Sequence, residues 1–298
     1  MSVLIGQISY LPNNEVRTKR LEASRFQIEW LHKLLPNTEI VCVAQAYNES
    51  ECDMKDINYV RYEYGIGPGK ARNIILKKFY ESDYDWLFLC DDDTIAYDYY
   101  SYADFIHDIV NNPEKFEGID AVSAVEPEYH PYKKLNYEDK NNLTHYKFEP
   151  RELNSGSATS IIRNIKKYYD KELYYPDTDA RKGEGREDIE FLIEWLKLGL
   201  TWYTMDTWIR KSLCFDKSSL FGTDTKARDK LLMHDLDILC DKYKADGLQR
   251  QINGRITWGE LNNRFNKSKK ILYIKRETPI EYDEKTTPKE KHNSIKLF

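Results

Sequence analysis

The stretch DWLFLCDDDTIAYDYY, residues 85–100, decides how the chain folds. Its apolar run from Trp86 to Cys90 reads as a buried strand, Asp85 to Asp91, and the run stops abruptly at Asp91, Asp92 and Asp93. In open parallel sheets, ligands bind in the crevice beyond the carboxyl ends of the strands. Three adjacent carboxylates there repel one another and call for a counter-charge. A hard divalent cation such as Mg²⁺ or Mn²⁺ would supply it, because such ions take oxygen ligands and bridge carboxylates to phosphates. The plainer alternative is a solvated acidic turn or a helix N-cap, where Asp is common.

On either side of this stretch, strands and helices alternate. Upstream lie a strand from Val3 to Tyr10 and a helix from about Thr18 to Leu35, with Leu21, Phe26, Trp30 and Leu34 near helical spacing. Pro36 and Asn37 stop that helix. Next come a strand from Glu39 to Gln45, a short strand in NYVRYEY, a Gly-rich turn, and a helix from near Gly69 to Tyr80. Downstream, a helix is expected from about Tyr99 to Asn111 and a strand from Ala121 to Val125. This order implies an α/β fold, a mostly parallel sheet covered by helices on both faces. From Glu126 to Arg151 the pattern dissolves into what reads as a long surface loop. Regularity returns in GSATSIIRNIKKYY, in the helix REDIEFLIEWLKLG and in the strand TWYTMDTWI. Helices are expected near 224–244, with weaker structure beyond and a loosely packed polar tail from Glu277.

Composition narrows the class. Hydrophobic residues make up 41% of the 298, enough for a core, and charged residues 32%. The mean hydropathy of -0.73 describes a polar surface. No apolar run approaches the roughly 20 residues that cross a bilayer, and the opening VLIGQISY lacks the pattern of a signal peptide. The expectation is therefore a cytoplasmic protein with no membrane partner. The five cysteines are scattered without a CxxC, which argues against a disulfide framework or structural zinc; Cys42 and Cys90 read as core. The net charge of -5 is uneven: residues 251–298 carry 11 Lys or Arg against 6 Asp or Glu. The basic excess is densest from Arg255 to Arg276, and reads either as a solvated face or as a surface for a polyanion.

Two further motifs bear on chemistry. GIGPGKARN, from Gly65, sets glycines, Lys70, Arg72 and Asn73 at a helix start, where backbone N–H groups and basic side chains attract phosphate. A Gly-Pro turn capping a helix is the simpler reading, and the spacing is not that of a Walker loop. GEGREDIEF, from Gly183, puts Glu187 and Asp188 at the head of an amphipathic helix. That is ordinary capping, or a general base for a hydroxyl.

In combination these motifs resemble the GT-A glycosyltransferases, especially the family-2-like inverting group, over roughly residues 1–210. The resemblance implies a Rossmann-like catalytic domain in two parts: a donor half, 1–125, and an acceptor half, 126–210. Residues 211–298 would then form a mainly helical extension, a candidate for acceptor binding. It implies a metal-dependent enzyme that moves a hexose or pentose from a nucleotide sugar, UDP-linked for preference, to an acceptor hydroxyl with inversion. By the resemblance, Asp93 and Asp91 hold Mn²⁺ or Mg²⁺, with His234 a candidate further ligand. Asp93 is the main ligand, and Asp91 and Asp92 contact metal, water or the donor ribose. Ser9, Tyr10, Gln45, Lys70, Arg72 and Asn73 line the nucleotide, beside Ala71. Asp188 is the catalytic base with Glu187 next to it. Asn154, Ser155 and Gly156 correspond imperfectly to an acceptor-side Asn-Gly-Gly stretch.

The acceptor is less legible. Tyr129, His130, Tyr132, Tyr137, His145 and Tyr146, interleaved with Lys133, Lys134 and Lys147, would stack on a sugar ring or a base, or simply pack a long loop. The Lys-, Asn-, Asp- and Tyr-rich composition is similar to that of T-even-like bacteriophage proteins. That similarity implies hydroxymethylcytosine in phage DNA as acceptor, and the host cytoplasm as location. Glycan acceptors, a sugar nucleotidyltransferase and a non-catalytic sugar- or nucleic-acid-binding module stand as alternatives. The sugar and the oligomeric state cannot be read.

Overall fold

The computed structural model describes residues 2–13, 15–92, 94–96, 99–125, 145–151, 159–176, 187–212, 225–251, 256–268 and 270–277. In chain order the first elements are β1 (Val3–Tyr10), α1 (Arg17–Leu34), β2 (Glu39–Gln45), β3 (Ile57–Tyr62), α2 (Pro68–Tyr80), β4 (Trp86–Asp91), β5 (Thr94–Ala96), α3 (Tyr99–Asn111) and β6 (Ala121–Val125). They are followed by β7 (His145–Pro150), β8 (Ser160–Arg163), α4 (Ile165–Tyr169), α5 (Glu187–Lys197), β9 (Tyr203–Ser212) and α6 (Thr225–Lys242). The chain continues through β10 (Gln249–Arg250), β11 (Ile256–Thr257), α7 (Gly259–Phe265) and β12 (Leu272–Lys275).

One large sheet runs in the order β12-β7-β9-β6-β8-β4-β1-β2-β3, with β5 on β9. Strands β3, β2, β1, β4, β6, β9 and β12 point one way; β8, β7 and β5 point the other. The expected α/β sheet with helices on both faces is therefore present. Alternation along each strand sends successive side chains to two cores. Trp86, Phe88 and Cys90 join the core under α1 and α3, while Leu87 and Leu89 join the one under α2 and α5. All five are at most 1% exposed, and burying each large apolar side chain stabilises by about 1.5–3 kcal/mol. Cys42 and Cys90 are buried, as expected of core residues. Gly6 on β1 admits α2 closely: a Cβ there would lie 2.4 Å from Ile75 Cγ2.

Part of the expected loop is sheet. His145–Pro150 forms β7, antiparallel to β9, and β12 pairs along its other edge. The cause is a period of two inside a polar stretch: Tyr146 and Phe148 are buried, while His145 is exposed and Lys147 half-buried. Strand β12, within the expected C-terminal extension, is thereby part of the main sheet. Arg276 just after it reaches Asp104 on α3 at 2.8 Å. No helix among the described residues is long and apolar enough to cross a membrane.

Candidate active site

The carboxyl ends of β1, β2 and β4 lie side by side, because Ile8 pairs with Asp91 and Tyr10 with Gln45. Gln45 projects toward the turn before α2. Its Oε1 accepts the N–H groups of Ile66 at 2.9 Å and Gly67 at 3.1 Å, fixing the GIGPG segment. Gly67 has φ +91°, a conformation that suits glycine, and Pro68 occupies the first turn of α2 where its missing N–H costs nothing. The Tyr10 ring packs on Gly65.

The acidic triplet divides at the strand end. Asp91 points to the α2 and α5 face, Asp92 to the α1 face. Asp92 is 1% exposed and saturated: it accepts from Ser9 Oγ at 2.5 Å, the Tyr10 N–H at 3.1 Å, and Arg20 at 3.0 and 2.7 Å. Ser9 is buried with it and also meets the Tyr47 hydroxyl at 2.6 Å. Below them, Gln7, Ser24 and Gln27 continue a buried polar seam between β1 and α1, and Gln27 donates to the Asp91 carbonyl oxygen at 3.3 Å. Arg20, Ser24 and Gln27 went unnoticed in the sequence. Their signal was a polar row at helical spacing on the inner side of an otherwise apolar helix.

Arg72 is the centre of the other face. It is 3% exposed, donates from Nη2 to both Asp91 oxygens at 3.0 and 3.1 Å, and from Nη1 to Glu187 Oε1 at 2.8 Å. Its guanidinium lies 5.2 Å from the centre of the Tyr175 ring. One side chain thus joins all three acidic or basic motifs. Burial pushes the Glu187 carboxyl up to about 7, with Asp188 adding to the rise and Arg72 opposing it. Burial disfavours the charge on Arg72, but Asp91, Tyr175, Glu187 and Asp188 together outweigh it, and its pKa is raised. Asp188, the next residue in the first turn of α5, is half-buried, and its Oδ1 accepts the Ile189 N–H at 2.8 Å.

Asn73 faces the protein. It bonds both ways with the Tyr175 backbone, at 2.8 and 2.7 Å. Lys70 is exposed on α2, and Ala71 is buried. His234 is exposed on α6. Asp93, Asn154, Ser155 and Gly156 lie outside the described residues.

Among solved structures, a mannosyltransferase from Pyrobaculum calidifontis in complex with GDP-Man and Mn²⁺ superposes with a TM-score of 0.51 at 12% identity. The match covers 80% of this chain and 64% of that one, so this chain spans just under two thirds of that enzyme's length. The fold is that of the GT-A glycosyltransferases. An S. aureus TarS fragment matches with a TM-score of 0.46 and 14% identity over 85% of this chain and 76% of its own. A putative glucose-1-phosphate thymidylyltransferase from Bacillus anthracis matches with a TM-score of 0.45 and 11% identity, over 78% of this chain and 96% of its own. No protein-family model and no curated protein matches the sequence.

Within this GT-A fold, oxygen donors at the β4 end suit a hard cation. The Asp91 side chain is 17% exposed and gripped by Arg72 from within, so its carboxylate retains an open side. Asp92 has no such side. Among the described residues, no group of three or more His, Cys, Asp or Glu is gathered as a metal site.

Proposed function

We propose that this chain is a metal-dependent, inverting glycosyltransferase that moves a sugar from a nucleotide sugar, UDP-linked for preference, to an acceptor hydroxyl. The observation that carries the proposal is Arg72, which gathers the end of β4, the head of α2 and the head of α5 at one edge of the sheet. In this reading, Asp188 takes the proton of the acceptor hydroxyl. The oxygen attacks the anomeric carbon from the face opposite the nucleotide, and the bond from that carbon to the phosphate oxygen breaks, leaving its electron pair on the diphosphate. Asp91 and Asp93 would hold Mn²⁺ or Mg²⁺, which would neutralise charge on the departing diphosphate. Tyr10, Lys70 and the turn held by Gln45 would border the nucleotide. Ser9 and Asp92 would support it from behind the strand end, and Asn154, Ser155 and Gly156 would serve the acceptor. His234, exposed on α6, has the least support as a ligand.

For the acceptor, the basic stretch supports a polyanion such as DNA bearing hydroxymethylcytosine. Of its residues, Lys267, Lys270 and Lys275 are exposed, while Arg264 faces Asp246 at 3.6 Å and Arg276 is held by Asp104. The test is incubation with a panel of UDP-sugars and GDP-mannose, Mn²⁺ or Mg²⁺, and either that DNA or a glycan mixture, reading nucleotide release and acceptor mass. Nucleoside diphosphate release with a hexose or pentose mass gain is expected. Pyrophosphate release in a parallel incubation with a nucleoside triphosphate and a sugar 1-phosphate would instead mark a nucleotidyltransferase, and no release in either incubation would leave a binding module.

A further inference from the structure

We propose that Arg72 is a positioning residue that sets the register between the two halves of the site, rather than a phosphate contact; this rests on the transferase reading above. Its guanidinium is buried and already faces two carboxylates, Asp91 on β4 and Glu187 on α5. A planar fork with fixed donors is suited to hold two carboxylates at a set separation. Fixing Glu187 fixes the first turn of α5, and with it the direction of Asp188, the adjacent residue.

The rest of the same turn of α2 repeats this function. Gly69 lets the neighbouring chain approach so closely that a Cβ there would lie 2.9 Å from the Pro176 carbonyl oxygen and 3.5 Å from Glu187 Cγ. Asn73 locks the Tyr175 backbone, and the Tyr175 ring stacks on Phe191 of α5 at 4.1 Å and 8°. Three residues of GPGKARN therefore grip α5, directly or through Tyr175. Helix α2 is in turn seated on β1 at Gly6. The donor-side carboxylate and the acceptor-side carboxylate are thus held by one short helical segment.

The experiment compares wild type with Arg72→Met, Arg72→Lys, Glu187→Gln and the double variant Arg72→Met/Glu187→Gln. UDP affinity is measured by calorimetry with Mn²⁺, kcat and KM by UDP release from the active donor, and backbone hydrogen exchange by mass spectrometry. Arg72→Met is expected to lower kcat about 100-fold, the scale of a misplacement of roughly 1 Å, while UDP affinity, reached only through Asp91, falls much less, by about tenfold at most. Arg72→Lys should recover part of the rate. The double variant should be no slower than the slower single variant, because both act through one contact. A loss of UDP affinity parallel to the loss of kcat, or additive single effects, would overturn the proposal. If wild type binds and turns over no nucleotide sugar, the transferase reading fails, and hydrogen exchange decides the clamp alone. Faster exchange confined to residues 91–92 and 187–191 in Arg72→Met, or in Arg72→Lys should Arg72→Met not fold, supports it. Unchanged or uniformly faster exchange overturns it.

Discussion

Two arginine–carboxylate clusters flank the end of β4, one on each face of the sheet, and they are built in opposite senses. Under α1, Asp92 is the enclosed member, with its side chain 1% exposed against 13% for Arg20. Under α2, the arginine is enclosed, at 4%, and Asp91 is the open member at 17%. Among the described residues, the first cluster sets the carboxylate of Asp92 against the guanidinium of Arg20. The second has Asp91 and Glu187 on one Arg72, so with both ionised it carries a net negative charge. An enclosed carboxylate, held by Ser9, the Tyr10 N–H and Arg20, braces a turn. A partly open cluster with surplus negative charge is where an added cation would be stabilised, and where a carboxyl group would hold its proton to unusually high pH.

Four expected outcomes sharpen that contrast. The largest concerns the open side: Asp188→Asn should cut transfer by about 10³-fold in a UDP-release assay while leaving UDP affinity unchanged, since general-base removal acts on the chemical step. Wild-type turnover in this variant would remove Asp188 from the mechanism. The next concerns the brace. Arg20→Met strands the buried Asp92 charge and should cost about 3 kcal/mol of stability in urea unfolding. A loss under about 1 kcal/mol would mean that Ser9 and the Tyr10 N–H suffice to hold that carboxylate.

The third outcome uses pH. The folded pKa of Glu187 is raised from an ordinary 4.5 to about 7, chiefly by burial. The stability that its protonated form contributes is therefore full below pH 4.5 and is lost as pH rises through 7. Glu187→Gln lacks that loss, so unfolding curves should move in favour of the variant, by roughly 2 kcal/mol, between those two pH values. A constant difference across the range would mean that Arg72 keeps Glu187 ionised throughout. The smallest effect is expected at the contact between α2 and α5. Gly69→Ala places a methyl group against a backbone carbonyl and should destabilise by about 1 kcal/mol, read as a lowered thermal midpoint. An unchanged midpoint would show that the 175–176 segment gives way freely.

Much of this architecture was legible in the sequence. The bounds of β1, β2, α3 and β6 coincide with the expected ones, because each is a strongly patterned segment between clear breakers. Strand β7 was not legible: Tyr146 and Phe148 are only two inward positions in a polar stretch, and their partners on β9 and β12 are distant in sequence. The split of Asp91 from Asp92 follows from strand alternation, but which face carries the open cleft depends on where α1, α2 and α5 dock. Likewise, Arg72 and Asn73 stood out as basic and polar residues at a helix start. That they turn toward α5 is set by tertiary packing, which local composition does not encode.

The most direct test of the account is calorimetric titration of UDP, with and without Mn²⁺, into wild type, Asp91→Asn and Asp92→Asn. Asp91→Asn should lose the Mn²⁺-dependent part of UDP binding while remaining stably folded, and Asp92→Asn should be less stable yet, where folded, bind UDP with Mn²⁺ as wild type does. Full Mn²⁺-dependent affinity in Asp91→Asn, with its loss in Asp92→Asn, would contradict the account.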